Sequence, residues 1–252
     1  VTGASGGMGL EISKELSKNN ISVLMLDLQS PNKDFLIKNK NCVFKKVDVT
    51  NFNKMKAHIN SFYKKHKSID YLVNTTGVLW FNKDVSAVNI NSDIWDKVFA
   101  VNVKGQFLCA QAAARVMLKQ ANGGVLINMS SESGLEGSEG QSVYAATKAA
   151  NQNVTRSWAK ELGTKGVRVI GVAPGIMETT GMRSEAYEQS LAYTRGISVD
   201  ELRSKYGSTS SIPLGRSGKL SEVADLVVFL ASKRASYLHG TTVNISGGKS
   251  RG

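Results

Sequence analysis

The chain has 252 residues, of which 41% are hydrophobic and 21% are charged. This composition is typical of a globular α/β protein, and the length predicts a single domain over residues 1–252. No apolar run reaches the roughly 18 residues of a membrane span, so we expect no membrane contact. The chain begins at Val1 without a basic and apolar leader, so we expect a cytoplasmic protein whose first strand is partly missing.

The basic residues outnumber the acidic residues by 32 to 20, which gives a formal net charge of +12. The lysines are dispersed and no aromatic residues are interleaved with them, so we expect no nucleic-acid partner. Two interpretations of the positive charge stay open: the lysines form a solvated basic surface, or some of them attract an anionic small substrate. The two cysteines and three histidines have no metal-ligand spacing, so we expect no metal.

Short apolar runs alternate with amphipathic patterns along the whole chain. Strands are predicted at residues 21–27, 43–49, 69–74, 125–129, 167–172 and 241–245. Helices are predicted at residues 7–18, 51–66, 93–120, 142–163, 184–206 and 221–232. This alternation predicts a doubly wound parallel α/β sheet with helices on both faces.

A glycine-rich turn at the start of the chain opens the first predicted helix. It contains Gly3, Ser5, Gly6, Gly7, Met8 and Gly9. Glycines permit a tight turn and close approach of the backbone to a pyrophosphate, which the helix N-terminus attracts. A plain glycine-rich turn is the alternative, because glycine clusters are common.

Asp27 ends the next predicted strand, 18 residues after Gly9. A carboxylate at this position can accept hydrogen bonds from the adenosine ribose of a dinucleotide, and it repels a 2′-phosphate. The following residues, Leu28 and Gln29, supply no cation that would offset this repulsion. The pattern therefore favours NAD over NADP, with a helix cap or turn as the alternative role of Asp27.

Two further strand ends are candidates for the cofactor site. Asp48 and Val49 close the predicted strand 43–49, where an adenine would lie, although Asp48 can equally cap the next helix. Asn74 and Gly77 lie at the end of the predicted strand 69–74 and are expected to meet the nicotinamide ribose. In an open parallel sheet, ligands bind at the carboxyl ends of the strands.

Tyr144 and Lys148 lie four residues apart on the predicted helix 142–163, so they share one face of it. A phenol ordinarily keeps its proton until about pH 10. A neighbouring ammonium favours the phenolate and lowers that pKa, which makes tyrosine usable as a general acid and base. The pair therefore predicts a proton-transfer device.

The TGxxxGxG pattern at Thr2 and the YxxxK pattern at Tyr144 together resemble the short-chain dehydrogenase/reductase family, nearly from end to end. The resemblance implies a Rossmann-type fold, with Tyr144 as the acid/base and Lys148 as the residue that binds ribose hydroxyls. It implies that Ser131 binds the reacting oxygen, a role for which Ser130 competes. Asn102 resembles the residue that completes a proton relay, or it satisfies backbone groups.

Other parts of the chain agree with the resemblance or depart from it. Pro174, Gly175 and Thr179 resemble the nicotinamide-side wall. The family often has Asn-Asn-Ala-Gly where this chain has Thr75 and Thr76 between Asn74 and Gly77, which puts cofactor contacts by those side chains in doubt. The helices at 93–120 and 142–163 resemble the family's dimer-forming pair, which implies a homotetramer.

Segments in the second half resemble a subgroup that interconverts D-sorbitol 6-phosphate and D-fructose 6-phosphate with NAD. They are residues 132–141, 192–197, 213–220 and 247–252. The region at about 176–216 is expected to form the substrate wall. Its cations can bind a phosphate, and acidic residues before it can bind polyol hydroxyls: Arg183, Arg195, Arg203 and Lys205, and Glu132, Glu136 and Glu139.

Two other functions stay open at this point. The first is another short-chain reductase, acting on a 3-oxoacyl carrier protein or an unphosphorylated polyol. The second is a nucleotide-sensing regulator on the same fold, although such a protein would be expected to have lost Tyr144 or Lys148.

Overall fold

A parallel β-sheet forms the centre of the protein, as described by a computed structural model for residues 1–79, 87–178, 183 and 185–251. The strands are β1 Val23–Asp27, β2 Cys42–Lys46, β3 Tyr71–Asn74, β4 Gly124–Met129, β5 Val167–Pro174 and β6 Thr242–Ile245. The strands are short, and the central strands β4 and β5 are almost entirely buried and apolar, as strands covered on both faces must be. The fold class predicted from the sequence is confirmed.

The strands are ordered by parallel pairing. β1 pairs with β2, and β3, β4, β5 and β6 follow one another. Thr2 forms parallel bridges with both Leu26 and Asn74, so the first residues of the chain lie between β1 and β3. The Thr2 amide donates to the Val73 carbonyl (3.0 Å), and the Leu26 amide donates to the Val1 carbonyl (2.9 Å). The glycine-rich turn thereby begins between two neighbouring strand ends.

Helices cover both faces of the sheet. Their bounds are α1 Gly7–Lys18, α2 Lys33–Lys38, α3 Phe52–His66, α4 Ser92–Phe99, α5 Gln106–Met117, α6 Ser133–Glu136, α7 Ser142–Leu162, α8 Glu185–Thr194, α9 Val199–Lys205 and α10 Leu220–Ala231. Asparagine side chains cap several N-termini: Asn51 accepts from the Lys54 amide (3.1 Å) and Asn91 from the Asp93 amide (2.8 Å). Each such cap satisfies one of the free amides of a first turn.

Two predicted helices are divided in the structure. The segment predicted at 93–120 is α4 and α5, joined by the π-helical turn Ala100–Gly105. The segment predicted at 184–206 is α8 and α9, with Gly196 between them at a φ of +63°. Glycine adopts that backbone conformation without the steric penalty of a side chain, so it ends α8.

The core consists of two apolar layers, one on each face of the sheet. Along β4, Leu126 belongs to the layer under α3, α5 and α7, whereas Val125 and Ile127 belong to the layer under α1 and α10. This alternation follows from the two-residue period of a strand. Among the helices of the described ranges, none has both the length and the apolarity that a bilayer span requires.

Candidate active site

The glycine-rich turn is built by close backbone contact. Gly3 has a φ of +60°, and a Cβ on Gly9 would lie 2.0 Å from the Gly3 carbonyl oxygen, so both positions require glycine. A Cβ on Gly6, in contrast, would meet nothing within 4 Å. The Ser5 hydroxyl is buried and has no hydrogen-bond partner in the described part of the chain. The turn therefore presents an open backbone edge and one unsatisfied polar atom.

Asp27 organises this turn from the end of β1. Its Oδ2 accepts a hydrogen bond from the Ser5 amide (3.0 Å), and its Oδ1 accepts one from the Gln29 amide (3.2 Å). The side chain thus has the turn-forming role that was the alternative at the sequence level. An ionised carboxylate has about four acceptor sites, so capacity for a ribose hydroxyl remains.

Asp48 and Val49 do not close a strand, because β2 ends at Lys46. Asp48 instead accepts from both the amide and the hydroxyl of Thr50, each at 2.8 Å, and so forms the turn before α3. Val49 is buried, and a Cβ on Gly105 would lie 2.7 Å from its Cγ2. The prediction that these residues end the strand is wrong: β2 ends at Lys46, and Asp48 takes part in a local turn with Thr50.

Asn74 and Gly77 lie at the end of β3 but face different surroundings. The Asn74 amide is buried and donates to the Gln106 carbonyl (3.2 Å) and the Asn128 Oδ1 (3.1 Å). A Cβ on Gly77 would lie 3.4 Å from the Lys148 Nζ. Asn74 therefore ties the sheet to α5, and Gly77 allows the backbone to approach the lysine.

Thr75 and Thr76, which replace residues of the family pattern, form hydrogen bonds that stabilise the glycine-rich turn. The Thr75 hydroxyl donates to the Thr2 carbonyl, and the Thr76 amide donates to the Thr2 hydroxyl (3.3 Å). The Thr76 carbonyl accepts from the Gln106 side chain (2.8 Å). The turn at this strand end thus rests on its own hydrogen bonds.

Tyr144 and Lys148 share one face of α7, as their spacing predicts. The Lys148 Nζ lies 5.4 Å from the centroid of the Tyr144 ring and donates to the Met129 carbonyl (3.0 Å). Burial lowers the pKa of Lys148 to about 8. Burial also raises the pKa of Tyr144, and a hydrogen bond with Ser131 acts in the opposite direction. In the described residues desolvation, not the neighbouring ammonium, has the largest influence on the phenol pKa.

The two serines after β4 have different surroundings. The Ser130 hydroxyl donates to the Lys148 carbonyl (2.9 Å) and accepts from the Gln152 side chain (2.9 Å). The Ser131 hydroxyl lies at the cleft and is hydrogen-bonded with Tyr144. Ser130 thus fixes β4 to α7, and Ser131 is the serine that is placed for chemistry.

Asn102 lies in the π-helical turn between α4 and α5 and is fully buried. Its amide accepts from the Val78 N–H (2.7 Å), donates to the Val78 carbonyl (2.9 Å), and donates to the Thr147 hydroxyl (3.1 Å). The Thr147 hydroxyl in turn donates to the Tyr144 carbonyl (2.7 Å). Asn102 therefore satisfies backbone groups and connects the segment after β3 with α7.

A cleft of about 230 Å³ opens beside Tyr144 and Ser131. Its walls come from the β4 and β5 ends, from α8 and from the chain's last residues. They include Met8, Glu132, Pro174, Gly175, Arg183, Tyr187, Arg195, Tyr206 and Lys249. The structure thus brings cationic side chains and the Tyr144 phenol into one cavity.

The two cleft arginines are held in different ways. Arg183 donates to the Met177 carbonyl, lies 3.4 Å from a Glu188 oxygen, and stacks over the Tyr206 ring at 4.6 Å. The Arg195 Nε is buried and has no hydrogen-bond partner among the described residues. Arg195 therefore retains a donor that a ligand can use.

Other candidates from the sequence lie elsewhere. Arg203 pairs with Glu188 (2.8 Å) and Lys205 with Glu201 (3.1 Å), and neither lines the cleft. Glu136 lines the cleft, whereas Glu139 does not. Thr179 lies outside the described residues. No group of three or more potential metal ligands occurs within the described ranges.

The sequence analysis did not single out several wall residues, among them Gln141, Tyr187 and Lys249. The Gln141 side chain donates to the Tyr187 hydroxyl (3.1 Å), and Lys249 pairs with Glu132 (2.7 Å). Tyr187 and Lys249 are far in sequence from Ser131 and Tyr144. No local pattern marks them, because only the fold brings them to the cleft.

Comparison with known proteins agrees with this geometry. A family model described as enoyl-(acyl carrier protein) reductase matches residues 3–250. The chain belongs to the short-chain dehydrogenase/reductase family and is an oxidoreductase of that family. The family resemblance stated from the sequence is confirmed.

Particular relatives fall into two groups. The chain is 47% identical to the sorbitol-6-phosphate 2-dehydrogenase of Klebsiella pneumoniae, with 100% of this chain and 95% of that protein covered. It is 35% identical to a 3-oxoacyl-[acyl-carrier-protein] reductase of Thermotoga maritima, with 98% and 95% covered. The solved structure of ElxO with NADP bound superimposes with a TM-score of 0.83 at 27% identity, covering 98% of this chain and 96% of that one.

Proposed function

We propose that this enzyme uses NAD to interconvert D-sorbitol 6-phosphate and D-fructose 6-phosphate at C2. The observation that carries the proposal is that Arg183 and Arg195 line the same cleft as Tyr144 and Ser131. Guanidinium groups bind phosphate oxygens with directed, charge-assisted hydrogen bonds. The 47% identity to a sorbitol-6-phosphate 2-dehydrogenase over the whole chain supports the same substrate.

The chemistry assigned to these residues is a proton transfer coupled to hydride transfer. The nicotinamide, when bound, supplies the hydride acceptor or donor. In the oxidising direction Tyr144 takes the proton of the C2 hydroxyl, and Ser131 holds the oxygen by a hydrogen bond. Lys148, charged below a pKa of about 8, stabilises the phenolate that this step requires. In the reducing direction Tyr144 returns the proton.

The residues of the glycine-rich turn fit a dinucleotide. Gly3, Ser5, Gly6, Gly7, Met8 and Gly9 form the turn at the N-terminus of α1. The open side of Gly6 and the unpartnered Ser5 hydroxyl suit phosphate oxygens, which a helix N-terminus attracts. Asp27 suits an unphosphorylated adenosine ribose, which supports NAD. Along the rest of the groove, Asp48, Val49, Asn74, Gly77, Pro174, Gly175 and Thr179 are further proposed cofactor residues.

We also propose that Glu132 contacts the substrate and that the enzyme is a cytoplasmic homotetramer. Glu132 lines the cleft beside Ser131. Free, buried Cys42 and Cys109 suit a reducing compartment. Trp95 and Phe107 are 45% and 37% exposed, which suits a subunit interface formed by α4 and α5. Light scattering of the purified protein tests the tetramer; a monomer at micromolar concentration refutes it.

The substrate is tested by following NADH oxidation with D-fructose 6-phosphate, D-fructose and an acetoacetyl thioester. Fast turnover of the sugar phosphate, with little use of the other two or of NADPH, is expected. Equal rates with fructose and its phosphate refute a phosphate-binding cleft. Preference for the thioester instead assigns the enzyme to the chemistry of its 3-oxoacyl reductase relatives.

Arg195 gives a sharper test of the same proposal. Since a hydrogen bond to a charged group contributes about 1.5–3 kcal/mol, R195M is expected to raise KM for fructose 6-phosphate about 10- to 100-fold. KM for NADH should not change. R156M is the matched control, because Arg156 is exposed on α7 and does not line the cleft. An unchanged KM in R195M removes this residue from the phosphate site.

A further inference from the structure

The segment that follows β6 contributes Lys249 to the cleft wall. After β6, Gly247 and Gly248 have φ values of +65° and +88°, and the chain turns back toward the loop that follows β4. The Asn244 side chain donates to the Ser250 carbonyl (2.9 Å), and the Arg251 amide donates to a Glu136 carboxylate oxygen (2.8 Å). The tail, residues 247–251, is thereby fixed against the segment that carries Ser131.

The tail also places one cation in the cleft. The Lys249 Nζ donates to the Glu132 Oε1 at 2.7 Å, and both residues line the cavity that contains Tyr144. An ammonium has three donors, so Lys249 holds one carboxylate oxygen and retains further hydrogen-bonding capacity.

The second carboxylate oxygen of Glu132 has no such partner. Glu132 is only 9% exposed, and its Oε2 is buried without a hydrogen-bond partner among the described residues. A Cβ on Gly175 would lie 2.9 Å from this oxygen, so glycine at that position leaves room for it. A buried acceptor without a partner is costly, and a ligand that donates a hydrogen bond to it recovers that cost.

We propose that Lys249 is a positioning residue for the substrate: it orients Glu132 so that Oε2 accepts a hydrogen bond from a substrate hydroxyl. This inference rests on the proposed function only in requiring a substrate with several hydroxyl groups. It assigns to the tail a part in selecting polyols over acyl substrates, which offer no hydroxyl beside the reacting carbonyl carbon.

The charges around Glu132 favour this role. Burial raises the pKa of Glu132, the ion pair with Lys249 lowers it, Glu136 on α6 raises it, and a weaker side-chain interaction with the Ser250 hydroxyl lowers it. Tyr144 on α7 also interacts electrostatically with Glu132. Lys249 is the cation among these groups, so it opposes the rise in the Glu132 pKa that burial causes and favours the ionised carboxylate, which only accepts hydrogen bonds.

A double-mutant cycle tests the coupling. K249M and E132Q are each expected to raise KM for fructose 6-phosphate about 10-fold, and the double variant no more than either single variant. K249R should restore most of the affinity. R251M is the matched control, since its exposed side chain belongs to the same tail and only its backbone contacts Glu136. NADH affinity, measured by fluorescence, should be unchanged in all variants.

The pH profile separates positioning from a structural effect. Without Lys249 the pKa of Glu132 rises, so the acid limb of kcat/KM should move to higher pH in K249M and stay in place in R251M. Additive effects in the cycle, or an unmoved acid limb, overturn the inference. Equal wild-type rates with fructose and its phosphate refute the sugar-phosphate proposal alone, because the cycle can then be measured with fructose.

Discussion

Burial of Lys148 predicts that this residue destabilises the fold at neutral pH. Its side chain is 3% exposed, and burial lowers its pKa from 10.5 to about 8. Between these two pH values the unfolded chain binds the proton more strongly than the folded chain does. The destabilisation is therefore complete below pH 8 and is relieved as the pH rises toward 10.5.

The size of the effect follows from the shift. At about 1.4 kcal/mol per pKa unit, protonated Lys148 costs the fold about 3 kcal/mol at pH 7. The same linkage leaves a cost of about 1–1.5 kcal/mol at pH 9.5, so about 2 kcal/mol is recovered between the two pH values. K148M has no proton to bind at this position and should show no such recovery.

The measurement is urea unfolding of wild type and K148M at pH 7 and pH 9.5, followed by circular dichroism. The free energy of unfolding of wild type, relative to K148M, should rise by about 2 kcal/mol between the two pH values. K160M is the control, because Lys160 is an exposed lysine on the same helix. K148M loses the hydrogen bond to the Met129 carbonyl at both pH values, so this loss cancels when the two pH values are compared. A pH-independent difference between wild type and K148M would falsify the account of its burial.

Other substitutions test single contacts of the site and of its scaffold. Y144F should abolish turnover and leave NADH affinity intact, as measured by fluorescence; residual activity near wild type removes Tyr144 from its role. S131A should lower kcat about 10²- to 10³-fold. S130A should instead cost about 1 kcal/mol of stability, because it loses the bonds to the Lys148 carbonyl and Gln152. A loss of kcat in S130A and a loss of stability in S131A would instead assign the reacting hydroxyl to Ser130. R168M should cost about 3 kcal/mol in urea unfolding, since Arg168 donates to the carbonyls of Leu230, Ser232, Ala235 and Leu238 at 2.9–3.3 Å. R168K should restore only part of this loss, because one ammonium cannot reach all four oxygens.

The pattern of apolar and polar residues was sufficient to predict the fold class, because strands and helices each repeat their apolar residues with a characteristic period. Strands buried on both faces require apolar runs, and helices on the sheet require an apolar stripe. The same reasoning placed Tyr144 and Lys148 on one helix face, since that depends only on the helical repeat. It placed the glycine-rich turn correctly at the start of α1.

Local competition explains the errors. Apolar residues continue past Lys46, and the Val47 amide still donates to the Asp27 carbonyl (2.8 Å), but the next residue, Asp48, accepts from Thr50 in a turn and does not extend the strand. The helical period of the apolar residues in 93–120 does not reveal the π-helical turn that contains Asn102. The pKa of Tyr144 depends on burial, which a pair of residues on a helix does not specify.

The sequence by itself determined the alternation of strands and helices, the glycine-rich turn and the placement of Tyr144 and Lys148 on one helix face. These depend on neighbours within a few residues. Only the tertiary structure decided that the Ser130 hydroxyl bonds to the Lys148 carbonyl whereas the Ser131 hydroxyl bonds with Tyr144, and that Arg195 and Lys249 line the same cavity as Tyr144. Such contacts join positions far apart in the chain, and the packing of α7, α8 and the tail against the strand ends sets them.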